Sequence, residues 1–470
     1  MEEKKKSLNC SLKRLPGATF IRRARLVRRK TTVVYYDQLK RHDATDCEKH
    51  LLCGSNSDWV PYIEYTYPPL DEDEMQNFPP TLFYPNFMES TVLRKEDVDS
   101  FTVILTNEKG TRTYAYCFKY LTRATLSNSK ITSNYAVLVF ISYYPAEPLF
   151  HQLASDFVYT IQGNPNRLEE ICIDLIKLRI SRPEDVFKNS KYIVNTELKW
   201  SRCAISTNLK KIGIKNTIFI LLNLLAERKI IVTGSKISEV SQAVQMFVKL
   251  LAPIDWPHTL IPVIPDSQCE LCYNPTPYIC GIMRYNLNSL KDLLCPEFGS
   301  QYEIVIIDIE RGIILPQFST DSYKKNQLRT SALLLAASDL GFPKSIVPDL
   351  VKSLSEVLRK NYDYEKADFK IEQKIMTWYA TLFGHYPTYC SSLPLSAKNR
   401  KCFAKAHPSP EIREFLTWFS ESGVFQNFLF CQNDPKLVHP LTTRFHKILK
   451  EYAPPTEKTG DYLTIQYEIF

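Results

Sequence analysis

The sequence predicts a three-part fold: an α+β unit with an antiparallel sheet, an α/β unit with a largely parallel sheet, and a helical C-terminal region. Two β-rich runs flank a four-residue turn near residue 110. Helix and strand patterns alternate from Asn216 to Asp308. After about residue 325 the strand patterns stop and only helical spacing continues.

Length and composition suit that division. A chain of 470 residues exceeds one ordinary core, and domains of roughly 100–200 residues give two or three units. Hydrophobic residues at 44% and charged residues at 23% describe a folded globular chain. No apolar stretch of signal-peptide length follows Met1–Lys6, and the richest apolar run, Ile218–Leu225, is broken by Asn223 and followed by Glu227, so neither secretion nor a membrane span is expected. The 13 cysteines stand singly, which reads as reduced thiols in a cytoplasmic protein.

Residues 1–57 read as a basic, partly disordered arm. The net charge of +8, from 59 basic and 51 acidic residues, is concentrated there, above all at Arg22, Arg23, Arg25, Arg28, Arg29 and Lys30. These six are candidates for contact with an anionic membrane or an acidic partner, against the plainer reading of a solvated tail. The remainder is near neutral, which argues against a nucleic-acid partner. Residues 58–90 are rich in aromatics and proline and predict extended chain across a folded surface.

Phe101–Thr106 and Thr111–Cys117, separated by Asn107–Gly110, predict a hairpin. Tyr135–Ile141 is a third strand, and Leu149, Phe150, Leu153, Phe157 and Val158 share one helix face. In the next unit Ile218–Ala226 and Glu239–Leu251 predict helices. Lys229–Thr233, Thr259–Ile264, Tyr278–Ile282 and Ile304–Asp308 predict strands, with Arg311-Gly312 turning the chain. Helical spacing then covers Leu328–Leu340, Lys344–Asn361, Phe369–Phe383, Ser409–Ser420 and Pro435–Tyr452.

Motifs for bond chemistry are missing from the sequence. There is no phosphate-binding glycine loop, no His-Glu-x-x-His and no Gly-x-Ser-x-Gly. Cys269-x-x-Cys272 with Cys280 could supply three zinc ligands, but no fourth completes the set, so buried thiols are the reading and no metal or cofactor is expected. Open α/β sheets present ligands at the C-terminal ends of their strands, which makes Ser235, Lys236 and Ser238, with Arg228 nearby in sequence, the candidate binding residues. For each the plain alternative is a surface or helix-start role, Ser238 with Ser241 in particular.

Three blocks of the chain resemble the DENN family. The hairpin Phe101–Cys117 resembles its upstream region. Leu224–Ser238, Asp255–Pro265 and Asn274–Ile282 resemble, in order, its central region. Phe383–Tyr386 with Glu411–Phe428 resembles its helical downstream region, and the type-2 subgroup is the nearest in pattern. The resemblance implies a tripartite module with a longin-like lobe at 58–165, a Rossmann-like α/β lobe at 166–320 and a helical region at 321–470. It also implies guanine nucleotide exchange on a Rab-type small GTPase in membrane trafficking, with peripheral attachment to trafficking membranes. An exchanger needs no nucleophile of its own. The alternatives are a scaffold that binds a GTPase without exchange, and an activator of the folliculin type that would use an arginine such as Arg112, Arg123 or Arg311.

Overall fold

Two five-stranded sheets organise the chain in this computed structural model. It describes residues 20–25, 62–67, 80–83, 98–106, 112–127, 130–142, 205–290, 304–315, 328–390, 395–433 and 441–451, with Phe150, Ala154, Phe157 and His439. The first sheet has the order β2-β1-β5-β4-β3, with every neighbouring pair antiparallel. Its strands are β1 (Phe20–Arg25), β2 (Tyr62–Tyr67), β3 (Val98–Thr106), β4 (Arg112–Ser127) and β5 (Lys130–Ser142). The expected hairpin is β3–β4, in register from Val98↔Tyr120 to Thr106↔Arg112.

Alternation along these strands divides the side chains between two faces. Phe101, Val103, Ala115, Cys117, Val137, Val139 and Ile141 share one core. On the other face Tyr116 stacks on Phe150 at 4.7 Å, and Phe140 meets Phe150 and Phe157. Those two phenylalanines come from the segment whose spacing of three to four predicted a helix face. Within residues 1–57, read from the sequence as a basic and partly disordered arm, Phe20–Arg25 forms β1. That segment is a strand inserted between β2 and β5, with Ile21 opposite Phe140 and Arg23 opposite Leu138. Backbone pairing on both sides outweighs the charge that disguises it in the sequence.

The second sheet has the order β10-β9-β6-β8-β7. Here β6 (Lys229–Gly234), β7 (Thr259–Ile261), β8 (Tyr278–Met283) and β9 (Ile304–Asp308) run parallel, and β10 (Ile313–Leu315) returns antiparallel after the turn at Gly312. Helices α1 (Ile205–Ile212), α2 (Ile214–Leu225) and α3 (Ile237–Leu250) share a core with the face that carries Ile230, Val232, Ile279, Val305 and Ile307. The opposite face, with Ile231, Tyr278, Cys280, Ile282, Ile304 and Ile306, packs with two 3-10 segments, Asp266–Tyr273 and Arg284–Leu290. Gly281 is required here, because a Cβ would fall 2.2 Å from the Pro262 carbonyl oxygen.

The C-terminal region is helical: α4 (Thr330–Asp339), α5 (Val347–Arg359), α6 (Tyr364–Phe383), α7 (Ala397–Lys405), α8 (Pro410–Phe419), α9 (Gly423–Asn433) and α10 (Thr442–Glu451). Phe383 lies among Phe419, Phe425, Phe428 and Phe445, so one aromatic cluster gathers α6, α8, α9 and α10. Helix α6 also holds the central lobe. Its Asp368 accepts from the Ile205 and Ser206 backbone N–H groups in the first turn of α1, and its Tyr379 hydroxyl donates to the Leu250 carbonyl at the end of α3.

The central lobe and the helical region meet at Glu227, and the first sheet is fastened to the neighbouring segment. Glu227 has φ 56°, just before β6, and its Oε1 is 2.7 Å from His258 Nε2 and 2.9 Å from the Val424 N–H in the first turn of α9. From the first sheet, Arg112 donates to the Trp256 and His258 carbonyls. Burial opposes the Glu227 charge, but the hydrogen bond and charge of His258, with the N–H groups of Val424 and Gly423, hold its pKa below the usual carboxylate value. A lowered folded pKa stabilises the fold above the unfolded value of about 4.3, and that contribution is lost as pH falls through the folded value. Glu227→Gln is therefore expected to cost about 2–4 kcal/mol in urea unfolding at pH 7. The gap from wild type should close as pH drops below about 4; a gap that is constant with pH would show that the charge of Glu227 is not what matters.

Candidate functional site

Parallel strands deliver their C-terminal ends to one edge, and at that edge β6, β8 and β9 are tied by a polar network. Asp308 closes β9 and is 1% exposed. Its carboxylate accepts from the Glu310 and Arg311 N–H groups and from Arg284, with Nε at 3.0 Å and Nη2 at 2.8 Å. Arg284, the residue after β8, also donates to Glu310 Oε2 at 2.6 Å. Glu310 in turn accepts from the Ser235 N–H at 2.8 Å and from the Ser235 hydroxyl, just beyond β6. Partial burial disfavours the charges of Arg284 and Glu310. Their mutual attraction and hydrogen bonds outweigh it, so the arginine pKa is raised and the glutamate pKa lowered.

The edge continues on both sides of this network. Toward β7, Asp266 accepts from the Tyr285 hydroxyl at 2.9 Å and from Asn286 Nδ2 at 2.6 Å. Toward α3, Glu239 pairs with Lys211 and, at 3.6 Å, with Lys236. Leu271, Tyr273 and Tyr285 on the 3-10 segments are exposed apolar side chains. Beside the edge the first sheet docks on α3. Edge strand β3 has an outward Thr102 N–H, which donates to Ser241 Oγ at 2.9 Å, and Gln245 Nε2 reaches Thr102 Oγ1 at 3.0 Å. Ile237, Val263 and Met283 join the core of the first sheet.

Of the residues singled out from the sequence, Ser235, Lys236 and Ser238 lie together at this edge, the first two exposed and the third half-buried. Arg228 does not join them. It precedes the six-residue strand β6, its N–H donates to the Asn223 carbonyl, and a rise of about 3.3 Å per residue puts it at the opposite edge. Lys236 is the N-cap of α3, with no side-chain cap bond, and Ser241 serves the lobe junction. Arg22, Arg23 and Arg25 stand on β1, while Arg28, Arg29 and Lys30 lie outside the described residues. Of the alternative arginines, Arg112 is committed to the Trp256 and His258 carbonyls, and Arg311 lies 3.7 Å from Asp308. Sequence reasoning missed Arg284, Asp308, Glu310, Asp266 and Tyr285. Applying the strand-end rule to all four parallel strands, rather than to β6 alone, would have found them.

The Cys269, Cys272 and Cys280 thiols are close, with Cys272 Sγ 4.0 Å from Cys280 Sγ. Burial pushes the Cys280 thiol well up, and Cys269 is pushed to about 11. No group of three His, Cys, Asp or Glu side chains among the described residues is arranged to hold a metal ion.

The model of the DENN (AEX-3) domain matches residues 104–311, from β3 in the first sheet to the turn that closes the edge network. Over these residues the chain is similar to the DENN domain. DENN domain-containing protein 2A of Mus musculus is 22% identical over 378 residues, covering 76% of this chain and 35% of that protein. DENN domain-containing protein 2B of Homo sapiens is 23% identical over 401 residues, covering 80% and 33%. DENN domain-containing protein 2D of Mus musculus is 21% identical over 414 residues, covering 84% and 82%. The chain thus spans about a third of the length of the first two relatives, and its similarity lies with the type-2 subgroup. Among its described residues no helix is long and apolar enough to cross a membrane.

Within the matched region Arg284 is the hub of the edge. Arg284→Ala removes two of the four hydrogen bonds on the buried Asp308 carboxylate, together with its bidentate cation, and is expected to destabilise the fold by about 2–4 kcal/mol. Arg284→Lys should recover only part of that, because an ammonium cannot reproduce the two-nitrogen contact. Chemical denaturation of both variants checks this, and equal stability of the two would mean that the fork geometry is irrelevant.

Proposed function

We propose that this chain carries a DENN domain and is a guanine nucleotide exchange factor for a Rab-type small GTPase, acting at the cytoplasmic face of trafficking membranes. The single observation that supports this most directly is the family match, which runs across both sheets and ends in the edge network. In this reading the first lobe, residues 58–165, and the α/β lobe, residues 166–320, present one surface to the GTPase. Ser235, Lys236, Ser238, Glu310 and Tyr285 are its contacts. Exposed Tyr285 and Leu271 supply the apolar anchors and the charged network supplies the rim, the usual anatomy of an interface. The exchanger binds the nucleotide-free GTPase more tightly than the GDP form, and each 1.4 kcal/mol of difference shifts the balance about tenfold. The basic residues from Arg22 to Lys30 add attraction to an anionic membrane, about 1 kcal/mol for each cation near the surface.

The test is GDP release from a panel of purified Rab GTPases with catalytic amounts of this protein. Acceleration for one or two members is expected. Lys236→Glu combined with Tyr285→Ala should lower it about tenfold or more while costing only about 1–2 kcal/mol of stability, from the lost Tyr285–Asp266 bond and Lys236–Glu239 pair. Arg228→Glu, at the opposite edge, should leave it unchanged. Binding without acceleration across the panel would assign the chain to a scaffold, and faster GTP hydrolysis would assign it to an activator.

A further inference from the structure

A concave site lies between the α1–α2 corner and helix α5, next to the turn after β9, where Asn216 of its lining donates to the Gly312 carbonyl. It is a cavity of about 320 Å³ lined by Leu209, Ile214, Leu328, Val351 and Leu358, with Lys210, Lys215 and Ser355 also contributing. That volume is at the lower end of small-ligand pockets. The five apolar residues give it a wall that gains by covering an alkyl chain.

The cationic side is equally specific. Lys211, between the two lysines in sequence, is engaged with Glu239. Lys210 and Lys215 have no carboxylate partner among the described residues. The Ser355 hydroxyl donates to the Val351 carbonyl, which leaves its oxygen able to accept but its proton committed. An amine-bearing or neutral ligand would leave two ammonium groups beside it unanswered, whereas an anionic head answers both.

We propose that this cavity binds a single-chain anionic amphiphile, its alkyl chain against Leu209, Ile214, Val351 and Leu358 and its head between Lys210 and Lys215. The site shares no residue with the proposed GTPase surface, since its lining comes from α1, α2, the turn between them, α5 and the segment before α4. A carboxylate and a phosphate head share the required chemistry.

The experiment titrates the full chain with decanoate, decyl phosphate and, as the neutral control, decanol, each below its micelle-forming concentration, and follows binding by calorimetry. Saturable binding at one site is expected for at least one of the two anions, with decanol weaker. Lys210→Glu with Lys215→Glu should weaken the anion about tenfold or more, on the scale of two charge-assisted contacts. Val351→Trp, which fills the cavity, should abolish binding, with far-UV circular dichroism confirming that the helices remain. Binding by only one anion identifies the head that the site accepts. Non-saturable uptake of both anions, equal affinity for decanol, or unchanged affinity in the double lysine variant overturns the proposal. Because Lys210 and Lys215 lie outside the edge network, the double variant should keep wild-type GDP release if exchange is present, so failure here leaves the exchange reading standing.

Discussion

The carboxylate of Glu227 is the constraint on which the arrangement of the three parts depends. It is held in a left-handed backbone conformation immediately before the central strand, where a glutamate has no intrinsic reason to be. Its position is fixed by what it bonds: the His258 ring from the segment before β7 and the first N–H groups of α9. The negative charge also faces the positive end of the α9 dipole. Gly423 at the start of α9 is needed for that approach, since a Cβ would sit 2.8 Å from Glu227 Oε1. Arg112 then fastens the first sheet to the same short segment through the Trp256 and His258 carbonyls. A half-buried charge of this kind is favoured because the His258 ring and the α9 N–H groups answer it.

The two faces of the parallel sheet are covered unequally, and this shapes the surface. Three helices pack on one face, and the described cover of the other is two 3-10 segments. Short 3-10 turns bury the residues directly beneath them, Cys272 and Leu290 among them, but leave Leu271, Tyr273 and Tyr285 outward. At the strand ends the polar network compensates for backbone that has run out of sheet partners. Asp308 accepts the N–H groups of its own turn, and Glu310 takes that of Ser235 from the neighbouring strand. The same groups that finish the sheet therefore put charge and aromatic surface side by side.

Much of the fold was legible in the sequence, and the failures have identifiable causes. The hairpin was readable because its alternation and its glycine-ended turn agree. The parallel strands were readable because Ile230–Val232 and Ile304–Ile307 are apolar on both faces. Strand β1 was not, since Phe20-Ile-Arg-Arg-Ala-Arg25 carries three arginines in six residues and charge masks its period. Strand β10, three residues long, is too short to show any period. Helix α7 was missed because Ala397–Lys405 buries little besides Phe403 and Ala404. The site was half legible. Ser235 and Lys236 follow from the strand-end rule, but Arg228 was grouped with them by sequence proximity, which a strand converts into distance. Arg284 and Glu310 reach Ser235 only through parallel pairing across β8, β6 and β9, a relation that no local pattern encodes.

On the exchange reading, the lobe junction sets how binding energy can be used. A module that distinguishes two states of a GTPase must resist adapting to the less favoured one, because any adaptation lowers the differential affinity. Here the edge strand β3 is bonded to α3 through Thr102, Ser241 and Gln245, and the cores of the two sheets merge around Ile237, Val263 and Met283. Helix α3 begins at the candidate surface with Lys236 and ends at Leu250, where Tyr379 of α6 holds its carbonyl. Its two ends are thus anchored to different parts of the chain. On that reading, a GTPase pressing on Lys236 would meet a helix whose movement disturbs both neighbours, and the work of deformation would fall on the GTPase's nucleotide pocket instead.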